Sequence, residues 1–308
     1  MKIIFFDALT MGDTPLDAIA AQGDFTSYPY SSREEALSRA ADCDVAIVNK
    51  IVVDEEFLAH APKLKLVCEA GTGINNIDVD ACSKRGIPVR NVAAYSTDSV
   101  AQTTFMHILN LVGHAFYQDN YVRSGEYSRG HIHTNPKNPF MELTGKTLGV
   151  IGMGAIGQRV AKIALAFGMD VIYYSTSGTS HCHDYPSVPL EELLRRSDVV
   201  TIHAPYNERT AGLVGDKELA MMKPTAVLVN TGRGGIARED ALARAIDNGT
   251  IAGVGLDVYE KEPLPLDSPL LHTKYPDRIT FTPHVAWVSH EALRRLADAM
   301  AENIAKGW

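Results

Sequence analysis

Leu148-Gly149-Val150-Ile151, followed by Gly152-Met153-Gly154-Ala155-Ile156-Gly157, sets a short apolar run directly against a G-x-G-x-x-G turn, and Gln158 to Phe167 continues with helical spacing. Strand, glycine turn and helix, in that order, are the context this pattern needs to bind a dinucleotide. Gly152 allows the tight turn, Gly154 lets backbone approach a pyrophosphate, and Gly157 lets helix pack on strand. The amino end of the helix offers free N–H groups to phosphates.

Outward from this turn, short β-branched runs alternate with amphipathic helical segments almost from end to end, which predicts an α/β protein with parallel sheets. Before it, Lys2 to Phe6, Val45 to Val48, Leu66 to Cys68 and Pro88 to Val92 read as strands, and Ser32 with Glu35 forms a capping box. After it, strands are expected at Val171 to Tyr174, Val199 to His203, Ala226 to Asn230, Gly253 to Leu256 and Ile279 to Thr282. One long helix is expected over Ser99 to Gly125, with Phe105, Ile108, Leu109 and Val112 at core spacing. With 308 residues the chain exceeds one comfortable core, so two lobes are expected.

The formal net charge of −8, with no run of Lys or Arg, gives no electrostatic case for nucleic acid or anionic membrane. No basic segment leads into a long apolar one, so neither export nor membrane insertion is expected. Cys43, Cys68, Cys82 and Cys182 lack C-x-x-C spacing and are too few for a disulfide framework, which fits a reducing cytoplasm. His131-Ile132-His133 and His181-Cys182-His183 resemble metal ligands but lack the further partners a zinc site needs, so no metal is expected.

The strand Asp170 to Tyr174 should end in an acid that binds both ribose hydroxyls of NAD, but Ser175 stands there. Without that carboxylate a 2′-phosphate is not repelled, yet no arginine follows in Tyr174-Ser175-Thr176-Ser177-Gly178 to attract one. The segment therefore permits NADP without demanding it. His181 and His183 are either partners for such a phosphate or solvated loop residues.

Three charged residues fall at strand-to-loop positions of the second half: Arg233 after Asn230-Thr231-Gly232, Glu262 before Pro263, and His284 after Thr282-Pro283. A guanidinium forks onto the carboxylate of a 2-oxo acid, and a histidine exchanges the hydroxyl proton. A carboxylate beside that histidine stabilises its protonated form and fixes its tautomer. Reduction of a keto acid by hydride needs all three.

Together with the glycine turn, Gly71-Thr72-Gly73-Ile74-Asn75-Asn76-Ile77-Asp78, Val229 to Gly234, Leu256-Asp257-Val258 and Thr282-Pro283-His284 make the chain resemble the D-isomer-specific 2-hydroxyacid dehydrogenases over nearly its whole length. Tyr95 to Gln102 and Pro283 to Trp287 look most like the glycerate dehydrogenase or hydroxypyruvate reductase branch.

The resemblance implies two Rossmann-like lobes: a doubly wound nucleotide-binding domain, 98–284, inserted in a flavodoxin-like substrate domain made of 1–97 and 285–308, with the active site in the cleft. It implies Arg233 as substrate anchor, His284 as acid/base, Glu262 as its partner, and amides around Thr72 and Gly73 for the substrate carboxylate. Implied cofactor contacts, for NAD or NADP, are Thr104, Gly152, Gly154, Ala155, Ile156, Gly157, Ser175, Thr231, Gly232, Arg233 and Asp257, with His203 and Pro205 on the adenine side. Asp257 is expected to face the nicotinamide amide. A homodimer through the apolar face of the Ser99 to Gly125 helix is also implied. Hydroxypyruvate and D-glycerate, or glyoxylate and glycolate, are the expected substrate pairs. A nucleotide-sensing corepressor and a phosphoglycerate dehydrogenase are the alternatives, and neither a peptide-docking appendage nor a regulatory domain is expected from the residues.

Overall fold

The computed structural model describes residues 1–180 and 182–308 and contains two compact units, Met1–Ser96 with Val288–Trp308, and Thr97–Trp287. The first holds β1 (Lys2–Phe5), β2 (Asp24–Ser27), β3 (Val45–Val48), β4 (Leu66–Glu69) and β5 (Val89–Arg90). Their order is β2-β1-β3-β4-β5, every pairing parallel, which is the flavodoxin-like winding. All four residues of β3 and of β4 are buried, as expected of parallel strands covered on both faces.

The carboxyl-terminal helix His290–Ala305 covers part of this sheet with Leu293, Leu296, Ala297, Met300 and Ile304, spaced three and four apart. Among the bonds that fasten the segment, Arg295 Nε donates to the Tyr95 carbonyl at 2.8 Å, Arg90 donates to the Asn303 carbonyl, and Asn303 Nδ2 donates to the Asn91 carbonyl at 3.1 Å. The capping box at Ser32 and Glu35 is present. Strand β2 escaped the sequence reading because Asp-Phe-Thr-Ser carries no apolar run. It lies at the sheet edge, where half-exposed polar residues are tolerated.

The second unit holds β6 (Thr147–Ile151), β7 (Asp170–Tyr174), β8 (Val199–Ile202), β9 (Val227–Asn230), β10 (Gly253–Leu256) and β11 (Ile279–Phe281). Their order is β11-β10-β9-β8-β6-β7, again parallel throughout. A single parallel bridge, Tyr173 to Ser187, continues the sheet beyond β7. Counted with that vestigial strand, the order is 3-2-1-4-5-6-7, the doubly wound 3-2-1-4-5-6 of dinucleotide-binding folds with one further parallel strand, β11, at the edge. Its switch point falls between β6 and β8, where the glycine turn sits.

The long helix expected over Ser99 to Gly125 is two helices, Thr97–Val112 and Ala115–Arg123. Between them His114 adopts a left-handed φ of 51°, which the continuing helical spacing concealed. Leu109 is exposed rather than buried. The packed arc of Thr97–Val112 runs through Ala101, Thr104, Phe105, Ile108 and Leu111, and at roughly 100° per residue Leu109 lies past its edge. That arc packs on the helix Ala155–Ala166 and on β9, β10 and β11.

Candidate active site

The glycine turn has the geometry its sequence required. Gly152 has φ of 93°, and a Cβ there would stand 2.9 Å from the Ala204 nitrogen. A Cβ on Gly157 would meet the Gly152 carbonyl oxygen at 2.3 Å, so helix and strand approach as closely as backbone permits. Around Gly154, by contrast, a Cβ would find nothing within 4 Å. This residue begins the helix Ala155–Ala166, whose amino end has no side-chain cap. Open space beside uncapped N–H groups is an anion cradle.

The cradle opens into a cavity of about 740 Å³ whose walls include Gly152, Gly154, Ser175, His203, Pro205 and Arg209. A dinucleotide fits these residues: a diphosphate at Gly154 with Ala155 and Ile156, a ribose at Ser175, and a base beside Pro205.

The segment Tyr174 to Gly178 itself holds no arginine, but the fold brings one to it from the turn after β8. Ser175 Oγ donates to the Thr179 carbonyl at 2.6 Å and lies 3.1 Å from Ser177 Oγ. Arg209, on the turn after β8, donates from Nη1 to the Ser177 carbonyl at 2.8 Å. That turn is held by Asn207 Oδ1, which accepts from the Arg209 amide at 2.9 Å, and by Thr210 Oγ1, which donates to the Pro205 carbonyl at 2.6 Å. Glu208 lines the same cavity. His183 is exposed, and His181 lies outside the described residues.

A directed chain of hydroxyls stiffens the loop after β9. Thr104 Oγ1 donates to the Val100 carbonyl at 2.8 Å, so at its 2.9 Å contact with Thr231 Oγ1 it accepts. Thr231 has then spent its proton, and at 3.3 Å it accepts from His203 Nδ1. Burial pushes His203 down to about 3, so the ring is neutral, with Nε2 a buried acceptor that has no partner among the described residues. Thr104, expected at the cofactor, has no exposed surface; its hydroxyl reaches the site through Thr231.

The three charged candidates stand on three adjacent strand ends, those of β9, β10 and β11. Arg233 follows β9 on a loop folded by Asn230, whose Oδ1 accepts from the Gly232 amide at 3.0 Å and whose Nδ2 donates to the Arg233 carbonyl at 2.9 Å. Asn230 was quoted in the sequence motif without a role. Its signal was a short amide side chain ending an apolar strand. Gly234 then lies against the Tyr259 carbonyl, which an added Cβ would approach to 1.7 Å; only glycine lets the Arg233 loop meet the Glu262 loop.

Glu262 Oε1 accepts from the Tyr259 amide at 3.1 Å, while Oε2 is 2.6 Å from His284 Nδ1. With the carboxylate ionised the proton sits on Nδ1, leaving Nε2 to exchange one with a ligand. His284 itself has φ of 54°, an unusual conformation for a non-glycine residue, which the surrounding bonds impose. Asp257 supplies them. Its carbonyl accepts from the His284 amide at 2.8 Å, and its carboxylate accepts from Val285 N, Ala286 N and Thr282 Oγ1 at 2.8, 2.9 and 2.6 Å. Burial raises the Asp257 carboxyl, opposed by these donors. The residue is only 1% exposed, and three of about four carboxylate acceptor sites are taken.

In the other unit, the Gly71-Thr72-Gly73 turn is tied to the start of the segment after β5: Val92 N donates to the Gly71 carbonyl at 2.9 Å and Thr72 Oγ1 to the Val92 carbonyl at 2.8 Å. The Thr72 and Gly73 amides find no protein acceptor among the described residues. His131 and His133 are exposed. No group of three metal-ligating side chains occurs among the described residues.

Residues 105–286 match the D-isomer specific 2-hydroxyacid dehydrogenase, NAD binding domain. The chain is 38% identical over 282 residues to a glyoxylate reductase of Korarchaeum cryptofilum, covering 89% of this chain and 82% of that protein. It is 34% identical over 311 residues to a hydroxypyruvate reductase of Blautia hydrogenotrophica, covering 99% and 96%. Among solved structures, D-lactate dehydrogenase from Aquifex aeolicus, complexed with NAD and lactic acid, is similar with a TM-score of 0.86, 30% identity and coverage of 98% and 94%.

Proposed function

The chain belongs to the D-isomer-specific 2-hydroxyacid dehydrogenases, and from that premise we propose that it reduces hydroxypyruvate or glyoxylate to the 2-hydroxy acid, with NADPH preferred over NADH. The observation that carries the reading is the 2.6 Å Glu262–His284 pair, on a turn pinned by Asp257 and next in the sheet to the strand that bears Arg233. A bound nicotinamide supplies or accepts the hydride.

In this reading Arg233 forks onto the substrate and polarises its carbonyl, and His284 Nε2 gives its proton to the carbonyl oxygen. Glu262 holds the imidazole in the tautomer that keeps Nε2 directed to the substrate and stabilises the imidazolium. The open amides of Thr72 and Gly73 take the substrate carboxylate. Asp257 uses its remaining acceptor site for the nicotinamide amide.

The cofactor preference rests on Ser175 in place of an acid and on Arg209 beside it. A guanidinium pairs with a 2′-phosphate, while the uncharged serines at 175 and 177 do not repel it. Glu208 opposes this pairing, so the balance is measurable: Arg209→Ala should raise KM for NADPH about tenfold or more, with KM for NADH nearly unchanged. Equal effects on both cofactors would remove Arg209 from the preference.

The direct test of function measures oxidation of NADH and NADPH separately, with hydroxypyruvate, glyoxylate, pyruvate and 3-phosphohydroxypyruvate as acceptors. Turnover of hydroxypyruvate or glyoxylate supports the proposal. A preference for the phosphorylated acid favours the phosphoglycerate alternative, and silence with every acceptor despite nucleotide binding favours a nucleotide-sensing corepressor.

A homodimer is part of the same proposal. Met106, Leu109, Phe116, Val122, Ile132 and Phe140 leave apolar side chains exposed on the two split helices and the segment after them, and a second copy would cover them. Sedimentation at micromolar concentration should give twice the 33.5 kDa chain mass; a monomer would refute the dimer. We also propose a reducing, cytoplasmic setting. All four cysteines are free and buried, and no helix among the described residues is long and apolar enough to cross a membrane.

A further inference from the structure

His107 is a polar residue on the buried arc of the helix Thr97–Val112, fully enclosed and absent from every recognised motif. Its ring fits because Gly255 of β10 has no side chain; a Cβ there would stand 2.8 Å from the His107 Cβ. Nδ1 lies 2.6 Å from Thr280 Oγ1 and Nε2 3.0 Å from Thr282 Oγ1. The two threonines are two residues apart at the end of β11, so their side chains share a face of the strand.

The direction of each bond follows from proton counting. Asp257 Oδ1 accepts from the Val285 amide at 2.8 Å and from Thr282 Oγ1 at 2.6 Å, so Thr282 spends its one proton there. Toward His107 it must therefore accept, which places the ring proton on Nε2. Nδ1 is then a lone pair, and Thr280 donates to it. Burial pushes His107 down to about 4, so the neutral ring fits a relay that needs one donor and one acceptor.

We propose that His107 is a positioning residue for the reaction: the relay Thr280, His107, Thr282, Asp257 fixes the turn that carries His284. Asp257 is where the relay meets the catalytic turn, because the same carboxylate holds the amides of Val285 and Ala286 and its backbone holds that of His284. Thr104, three residues earlier on the helix, feeds the separate chain through Thr231 to the loop that bears Arg233. One helix face thus braces both catalytic loops by hydrogen bonds of defined direction, and the two can be uncoupled. The inference takes the catalytic role of His284 from the proposed function.

The test compares His107→Leu with His107→Gln, whose amide can accept from Thr280 and donate to Thr282. His107→Leu should lower kcat about tenfold or more, as a displaced acid/base does, with the nucleotide KM held within about twofold because the phosphate and ribose contacts are untouched. His107→Gln should recover most of that loss. A folded His107→Leu with near-normal kcat, or a His107→Gln no better than it, overturns the relay. Should His107→Leu fail to fold, Thr280→Val against Thr280→Ser asks the same question at the relay's outer end.

One readout does not depend on turnover. Long-range proton–nitrogen correlation spectra of the native protein should show His107 protonated at Nε2 and unchanged between about pH 6 and pH 8, above its depressed titration range. An Nδ1–H ring, or one that titrates there, refutes the relay. The predicted tautomer in a protein that turned over none of the oxo acids would leave the relay standing and the proposed function failing.

Discussion

Replacing His284 with asparagine is expected to lower kcat by about 100- to 10,000-fold, the range for loss of a positioned proton donor, while nucleotide binding survives. The separation is possible because the turn bearing His284 is built without its side chain. The backbone bonds from residues 284, 285 and 286 to Asp257 remain, and so does the Ser99 hydroxyl donating to the Ala286 carbonyl at 2.6 Å. The measurement is turnover with hydroxypyruvate beside a fluorescence titration of the cofactor. Turnover near the native rate would remove His284 from the mechanism.

Glu262→Gln is the informative companion. An amide keeps the approximate shape but removes the negative charge beside the ring, so kcat should fall about tenfold or more while nucleotide binding is kept. A native kcat in this variant would remove the charge of Glu262, at its 2.6 Å contact, from the mechanism.

Arg233→Ala is expected to cost about 100- to 1,000-fold in kcat/KM, the magnitude for loss of a preorganised donor at a developing oxyanion, together with a raised KM for the oxo acid. The loop should survive, since Asn230 grips the Gly232 amide and the Arg233 carbonyl, neither of which the substitution alters. Nη1 of the arginine donates to the Gly232 carbonyl at 2.8 Å, which turns the guanidinium back over its own loop and limits its freedom before substrate arrives. Arg233→Lys should recover only part of the loss, because an ammonium cannot fork onto a carboxylate. Full activity in Arg233→Lys would show that charge alone suffices, and full activity in Arg233→Ala would dismiss the assignment. Restoration of Arg233→Ala by added guanidinium would locate the loss at the missing side chain rather than in a collapsed loop.

The fold class, and the positions of Arg233, Glu262 and His284 beyond strand ends, follow from local sequence patterns. Short β-branched strands, a glycine turn between strand and helix, and charged residues just past strand ends are local patterns, each set by backbone sterics or burial within a few residues. That is why Thr147–Ile151, the positive-φ turn at Gly152, and the loops of Arg233, Glu262 and His284 were legible, whereas β2, with no apolar run, was not. Nor was the helix break at Gly113 and His114, where the periodic pattern ran on across a left-handed residue.

Contacts that depend on parallel crossovers bringing distant segments together have no such local signature. Arg209 reaches the Ser175 to Ser177 edge because the end of β8 lies across the switch point from the end of β7, a neighbourhood that no spacing along the chain encodes. His107 meets Thr280 and Thr282 because Gly255 opens a slot under the helix, so a residue that looked like one more position in an apolar stripe became a hydrogen-bond relay. A buried polar group must find partners wherever the fold supplies them, and those partners are fixed by sheet order, which the sum of nonlocal packing sets rather than any local motif.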